Sequence, residues 1–429
     1  MQFELLSKKS RGSPLITLMD AILSTDQRDT ISKLQNRKMY FYAMGTFERL
    51  KPSTGLKKGN IFIWDHIPES VKTELIDGKA DLLLDISAET IFVTGHDAKA
   101  DLQEIYGAMH DLNISPQRVI LAHSNMAGQK YHDILVSEMG ITKPLRLWAL
   151  DFAMVWTTLF LEKDLAISHR IESNPDNALP ENDSPSDLRP FLCLVRKLKF
   201  HRVAALLAIL ALVGEDKVFF SLIGRNEEDY PVLEGALKKT VGALNEISDR
   251  YPSVDWLKTA NDILAKGFPI TLPGDDGSFG DGKADGLRSV SGKWYDSTLI
   301  SVVGESLFTN GQNLFITEKV MKPIYWSHPF IVVGDPGTLA RLRALGFRTF
   351  GTVIDESYDE IADPVKRLHA IVAELNRIGS FSPDQLKQAK QALAADVQHN
   401  FCHIRTGFRE LFAQLFVDSF AKILVDDGH

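Results

Sequence analysis

The sequence predicts an α/β protein with two domains, each built on a parallel, doubly wound sheet. Short apolar runs bounded by turn residues alternate with stretches of helical periodicity along most of the 429 residues. Residues 173–190 interrupt this alternation with prolines among Ser, Asn and Asp, a composition typical of a surface connection. We therefore expect a first domain over 1–172, a linker over 173–190, a second domain over 191–380 and C-terminal helices over 381–429.

The composition is that of a globular enzyme, with 44% hydrophobic and 24% charged residues. A net charge of -8 argues against a nucleic-acid partner, which normally requires a basic excess, but allows a local basic patch for a nucleotide. Cys193 and Cys402 form no disulfide framework or zinc spacing, and residues 1–20 carry no signal-peptide core, so we expect a cytoplasmic location. The sequence leaves peripheral membrane association open and does not indicate an oligomeric state.

Short apolar runs predict the strands of the first domain: Met39–Tyr42, Ile61–Trp64, Leu82–Leu84, Thr90–Val93, Arg118–Leu121 and Leu145–Leu150. Ala98–Asn113 is amphipathic with helical spacing, which predicts a crossover helix between two of these strands. Alternation of this kind is typical of a parallel sheet covered by helices.

The second domain opens with an apolar strand, Phe191–Val195, that leads into a basic turn and then into an apolar helix through Leu212. A basic turn between a strand and a helix is a favourable place for an anionic ligand. Arg202 is the leading candidate for a phosphate contact, because a guanidinium can bind phosphate through two hydrogen bonds, and Lys199 is a second candidate. The alternative is a solvated basic turn without a ligand.

Residues 299–350 predict a strand, a helix, a second strand and a second helix in succession. Leu299–Val303 and Phe330–Val333 are β-branched runs of the kind found in buried strands. Thr317 can cap the first helix, whose initial turns contain Glu318, Lys319 and Lys322. Two lysines at a helix N-terminus oppose the helix dipole, and a bound anion would resolve this conflict. The alternative is a solvated helix start with a local Glu–Lys pair.

Three short motifs in this segment carry a resemblance to a known family: Glu305-Ser306, Ile316-Thr317-Glu318-Lys319 and Pro329–Gly334. They resemble the donor-binding region of the alpha-1,3-fucosyltransferase family and its bacterial and phage-type relatives. In that family the Glu-Lys pair contacts a nucleotide-sugar donor. The sequence departs from the family in two respects, because Gly304-Glu305-Ser306 lacks its asparagine and the loop from Ser306 to Ile316 is longer.

The resemblance implies a GT-B-like fold, with two facing Rossmann-like domains and a C-terminal helical segment. It implies transfer of a sugar, with fucose from GDP-fucose as the leading donor, to a glycan or other hydroxyl acceptor, with inversion and without a further cofactor. The expected donor-site residues are Arg202, Lys199, Glu305, Thr317, Glu318, Lys319 and Lys322. The alternative is a non-catalytic nucleotide- or sugar-binding protein that retains the fold.

An inverting transfer also needs a carboxylate that takes the proton from the acceptor hydroxyl. We expect it in the first domain, where Asp85 and Glu89 follow a predicted strand and would share one face of a helix beginning there. Asp65 is a further candidate, and helix capping by Asp85 with a solvated Glu89 is the structural alternative.

No metal is expected to be required. The Gly- and Asp-rich stretch 274–286 lacks the order of an EF-hand, and a surface insertion explains it better. Asp281 and Asp285 would be the candidate ligands if a metal were needed.

Overall fold

The computed structural model describes residues 4–6, 14–35, 37–43, 48–49, 61–85, 98–152, 154, 188–224, 230–272 and 292–425. The chain divides into two compact units. Met1–Leu159, Gln312–Phe315 and Arg409–His429 form the first unit, and Phe160–Gly311 and Ile316–Phe408 form the second. Each unit contains a parallel sheet with helices, which confirms the α/β class predicted from the sequence. The proposed linker lies outside the described residues up to residue 187.

The first unit contains a five-stranded sheet with the order β1-β2-β5-β6-β7 and a separate pair, β3-β4, and all of their pairings are parallel. The bounds are β1 Glu4–Leu5, β2 Lys38–Ala43, β3 Glu48–Arg49, β4 Ile61–Phe62, β5 Ala80–Asp85, β6 Val119–His123 and β7 Arg146–Ala149. The strands follow chain order from one edge to the other. The described strands of this unit show no reversal of order, so they do not by themselves show the doubly wound arrangement that the sequence predicts.

The strand predicted at Ile61–Trp64 is also corrected. Only Ile61 and Phe62 form a strand, and Ile63–His66 is a 3₁₀ turn. The reason is that β4 pairs with β3 over just two positions, so there is no longer ladder to keep the chain extended. The strand predicted at Thr90–Val93 lies outside the described residues.

The helices of the first unit are α1 Pro14–Ile22, α2 Thr25–Leu34, α3 Glu69–Ile76, α4 Ala98–Asp111, α5 Gly128–Glu138 and, from the C-terminal end of the chain, α14 Gly407–Val425. Trp148 on the edge strand β7 holds α14 against the sheet, because its indole Nε1 donates to Ser419 Oγ at 3.0 Å. The Trp148 ring also lies 4.8 Å from the ring of Phe416 and 4.5 Å from that of Phe420. These aromatic contacts bury one face of α14.

The second unit contains a four-stranded parallel sheet of β8 Arg189–Val195, β9 Val218–Leu222, β10 Thr298–Gly304 and β11 Phe330–Val333. Its strand order is β11-β10-β8-β9. The chain starts at β8, continues to β9 on one side, and then crosses to β10 on the other side of β8. The strand order therefore reverses between β8 and β10, which is the topological switch point at which open α/β sheets bind ligands.

The helices of the second unit are α6 Phe200–Leu212, α7 Tyr230–Asn245, α8 Trp256–Ala265, α9 Gly292–Asp296, α10 Glu318–Tyr325, α11 Thr338–Ala344, α12 Pro364–Gly379 and α13 Pro383–Arg405. The predicted C-terminal segment 381–429 is thus divided, since α13 belongs to the second unit and nearly all of α14 to the first. Asn400 on α13 explains this placement: it accepts from the backbone N–H of Arg348 at 2.7 Å and donates to its carbonyl at 2.8 Å. None of the helices in the described residues is long and apolar enough to cross a membrane.

Candidate functional site

The candidate site lies where β8 and β10 end, at the switch point of the second sheet. β8 leads through a basic turn into α6, and β10 ends at Gly304, directly before Glu305 and Ser306. The loop that follows returns to Thr317 and α10. The structure brings Lys199, Arg202, Glu305, Thr317, Glu318 and Lys319 together here, although the sequence separates the first two from the others by about a hundred residues.

Arg202 is buried, with 5% of its surface exposed. Its Nε and Nη2 donate to the backbone carbonyl of Glu305 at 3.1 and 2.7 Å, and its Nη1 donates to the carbonyl of Lys197 at 3.4 Å. Burial lowers the pKa of Arg202, and the neighbouring Glu305 and Glu318 carboxylates oppose that shift. The guanidinium remains charged, because an arginine is effectively always protonated. The residue expected to bind phosphate thus binds backbone carbonyls in this structure.

Gly304 makes this position of Arg202 possible. A Cβ atom built on Gly304 would lie 2.3 Å from Arg202 Cγ, far inside van der Waals contact. The end of β10 can therefore approach α6 this closely only because residue 304 has no side chain.

Glu305 is almost completely buried, with 1% exposure, and joins the end of β10 to the start of α10. Its Oε1 accepts from the backbone N–H of Thr317 at 3.1 Å, and its Oε2 accepts from Thr317 Oγ1 at 2.6 Å and from the Ser306 N–H at 2.9 Å. Thr317 caps α10, and its hydroxyl also accepts from Lys319 Nζ at 3.0 Å. Both residues, expected to contact the donor, hold the start of α10 in place.

Lys319 uses all three of its N–H groups on protein acceptors. Nζ donates to Glu318 Oε1 at 2.6 Å, to Thr317 Oγ1 at 3.0 Å and to Ser306 Oγ at 3.2 Å. The side chain is 25% exposed.

Glu318 is the most exposed acidic group of this cluster, with 45% of its side chain accessible. Burial of the carboxyl opposes ionisation, but Lys319 and, less strongly, Lys322 outweigh it, so the pKa of Glu318 lies below its ordinary value. The position of Lys322 one turn after Glu318 on α10 explains its contribution. Glu318 is therefore an anion at neutral pH that can accept hydrogen bonds from a ligand.

Lys199 differs from the other cations in its hydrogen bonding. Its Nζ donates to the backbone carbonyl of Ser306 at 2.5 Å, and the other two N–H groups have no acceptor among the described residues. Burial lowers the pKa of Lys199, and the positive charges of Arg202, Lys197 and Lys319 lower it further. Lys199 thus lies close to three other cations, with the Glu305 carboxylate opposing their effect on its pKa.

The long loop after Ser306 completes the site through Phe308 and Thr309, which the sequence did not single out. The ring of Phe308 stacks on the ring of His201 with 5.2 Å between their centroids, and the guanidinium of Arg367 lies over it at 4.3 Å. His201 Nε2 also donates to the Glu305 carbonyl at 2.8 Å, and burial lowers the pKa of His201 to about 3, so the ring is neutral. Thr309 is fixed in turn by Asp335 Oδ1, which accepts from its hydroxyl at 2.8 Å. The only sequence signal for His201 was its position beside Arg202.

The candidate bases of the first unit are described only in part. Asp85 is the last residue of β5, the central strand, and is 3% exposed. Asp65 lies exposed in the 3₁₀ turn that follows β4. Glu89 lies outside the described residues, as do Asp281 and Asp285. Within the described residues no group of three or more His, Cys, Asp or Glu side chains could hold a metal ion.

Comparisons with known proteins add little. No protein-family model matches the chain, and no curated protein matches it. The solved structure of the Candida albicans trehalose-6-phosphate phosphatase N-terminal domain is similar, with a TM-score of 0.39 and 8% sequence identity, over 96% of this chain and 80% of that one. A similarity this low does not assign a fold or a function.

Proposed function

We propose that this chain is a nucleotide-sugar glycosyltransferase of the GT-B class, and that its second unit binds the donor through the diphosphate. The observation that carries the proposal is the gathering of Lys199, Arg202 and Lys319 at the switch point between β8 and β10. A ligand is expected at this place in an open α/β sheet, and the charge of the cluster favours an anionic one.

The helix termini support an anionic ligand. Lys199 occupies the N-cap position of α6, and no capping side chain bonds the first N–H groups of this helix within the described residues. Cations at a helix N-terminus oppose the helix dipole, whereas phosphate is stabilised there by both the N–H groups and the dipole. By contrast, the first N–H groups of α11 already donate to the Asp359 carboxylate, at 3.0 Å each, so that helix start is occupied.

The same charges suit the proposed chemistry. Loss of a nucleoside diphosphate leaves negative charge on its phosphate oxygens, and fixed cations stabilise that charge as it develops. Glu318, partly exposed and ionised, can accept hydrogen bonds from hydroxyl groups of the donor. By the resemblance to the fucosyltransferase family, GDP-fucose is the leading donor and the acceptor hydroxyl belongs to a glycan. A first-unit carboxylate, Glu89 or Asp85, would take the acceptor proton.

The test is calorimetry on the full chain with GDP-, UDP-, CMP- and dTDP-sugars, followed by turnover assays with hydroxyl acceptors. We expect GDP-fucose to bind and to be consumed. Binding without turnover by any acceptor would favour the non-catalytic sugar- or nucleotide-binding protein. Failure of every nucleotide sugar and every free nucleotide to bind would overturn the proposal.

A further inference from the structure

We propose that Ser306 is a positioning residue that holds the ammonium group of Lys199 at its backbone carbonyl and that of Lys319 at its hydroxyl, so that the site selects two linked phosphoryl groups over a single phosphate. The inference rests on the proposed function, because it concerns the diphosphate part of the same ligand. Ser306 was not among the residues expected from the sequence to bind the donor.

Each polar atom of Ser306 contacts a different charged side chain. Its carbonyl accepts from Lys199 Nζ at 2.5 Å, its Oγ accepts from Lys319 Nζ at 3.2 Å, and its N–H donates to Glu305 Oε2 at 2.9 Å. Glu305 is itself fixed by the backbone and hydroxyl of Thr317. Glu305 therefore fixes the backbone of Ser306. The Ser306 carbonyl binds one ammonium group, and its hydroxyl binds the other.

Lys199 and Lys319 differ in how readily their ammonium N–H groups can bind a ligand. Lys199 has two N–H groups without an acceptor in the described part of the chain, so it can bind a phosphoryl oxygen directly. Lys319 has no N–H group to spare, but its contact with the Ser306 hydroxyl is its longest, at 3.2 Å, and involves a neutral acceptor. The same N–H group can be shared with a phosphoryl oxygen while the Ser306 hydroxyl keeps the ammonium group in position, because an anionic oxygen is a stronger acceptor than a neutral hydroxyl.

The placement of the two ammonium groups favours a linked pair of anions. Both lie within hydrogen-bond reach of the same residue, so their two positive charges act on the same small region. A single phosphate that contacts Lys199 leaves the charge of Lys319 without a phosphoryl partner. Two phosphoryl groups joined through one bridging oxygen can contact both lysines at once. Arg202, buried against the Glu305 carbonyl, adds charge without the same contact.

Pyrophosphate and orthophosphate test this inference without any assumption about the nucleotide. Calorimetry would compare their affinities for the wild-type chain, Ser306→Ala, Ser306→Thr and the control Ser380→Ala, whose Oγ donates to the Arg377 carbonyl on α12, outside the site. We expect the wild type to prefer pyrophosphate, and Ser306→Ala to reduce that preference roughly tenfold, the effect of one lost hydrogen bond to a charged group. Ser306→Thr, which keeps the hydroxyl, and Ser380→Ala should retain the preference.

The affinity ratio separates positioning from a general structural effect. An unchanged ratio of the two affinities in folded Ser306→Ala, including the case in which both fall by the same factor, would overturn the inference. If the ratio is unchanged while GDP-fucose still binds and is consumed, the inference fails and the proposed function stands. If the ratio follows Ser306 but no nucleotide sugar binds, the diphosphate selection stands and the glycosyltransferase proposal fails.

Discussion

The guanidinium of Arg202 donates two hydrogen bonds to the backbone carbonyl of Glu305, from Nε at 3.1 Å and from Nη2 at 2.7 Å. His201 Nε2 donates to the same carbonyl at 2.8 Å. Two consecutive residues of α6 thus fix the end of β10, and the position of the cationic cluster follows from this contact. Under the proposed function, Arg202 would therefore act on an anionic ligand through its charge and by holding its neighbours in place.

Substitution of Lys199 should weaken ligand binding without affecting the fold. Lys199→Met keeps the aliphatic stem but removes the ammonium group that has unused N–H donors. We expect the affinity for nucleoside diphosphate to fall roughly ten- to a hundredfold, the usual cost of a lost charge-assisted contact. Calorimetry measures the affinity, and the thermal midpoint of unfolding should stay close to that of the wild type.

Lys197 offers a matched control in the same turn. Its side chain is exposed, and only its backbone carbonyl contacts Arg202. Lys197→Met should therefore change the affinity much less than Lys199→Met. Equal losses in the two variants would indicate a diffuse electrostatic effect and contradict a specific role for Lys199.

Gly304 should tolerate no side chain while Arg202 is present. In Gly304→Ala the new methyl group would lie 2.3 Å from Arg202 Cγ, so the guanidinium must move away from the Glu305 carbonyl. We expect a loss of about 1–3 kcal/mol in the free energy of unfolding, as for other overpacked sites. Denaturant titration would measure it. Gly242→Ala on α7, where a Cβ meets nothing within 4 Å, is the control and should be neutral or stabilising.

A double-mutant cycle gives this prediction a second readout. If the clash with Arg202 is the cause, Gly304→Ala should cost much less in an Arg202→Ala background, where the side chain that it strikes is absent. Additive losses would show that Gly304 is required for another reason.

The sequence predicted the elements around the site because buried parallel strands are continuous apolar runs, as β8, β10 and β11 are. It also predicted that charges at strand-to-helix turns would meet at one edge of the sheet. It did not predict that Arg202 and Glu305 would be buried, because that depends on a contact between residues 103 positions apart. Local pattern marked Ser306 only as part of a motif and did not indicate its contacts or the stacking of His201 on Phe308, which depend on the path of a loop without periodicity.

The stability of the first unit should fall in mildly acidic solution because of His123. This residue ends β6 with 0% exposure, its Nδ1 accepts from the Asn125 N–H at 3.1 Å, and burial lowers its pKa to about 3, with His132 lowering it further. Since the unfolded chain binds this proton near the ordinary pKa of 6.5, stability is fully present above that pH and is lost as the pH falls toward 3. Each such group contributes a slope of up to about 1.4 kcal/mol per pH unit.

Denaturant titrations at several pH values between 7 and 5 would measure this slope before most carboxylates titrate. His123→Asn, whose amide oxygen can replace Nδ1 as acceptor for Asn125, should reduce it. A slope identical to that of the wild type would exclude His123 as a source of the acid sensitivity.

Turnover should not require a divalent metal. In the proposed function, lysines and helix N–H groups would hold the diphosphate, so positive charge would be supplied without an ion. We expect equal rates with and without EDTA. Complete loss on chelation, restored by manganese or magnesium, would contradict this and direct attention to Asp281 and Asp285.

The catalytic base should be separable from donor binding by conservative substitutions. If Glu89 takes the proton of the acceptor hydroxyl, Glu89→Gln should reduce turnover by roughly two to four orders of magnitude, because the amide cannot accept that proton. Donor affinity should stay nearly constant, since the proposed donor contacts all lie in the second unit. Asp85→Asn, at the end of the central strand β5, is the matched comparison. Normal turnover by folded Glu89→Gln together with a large loss in Asp85→Asn would assign the role to Asp85, and normal turnover by both would leave Asp65 as the next candidate.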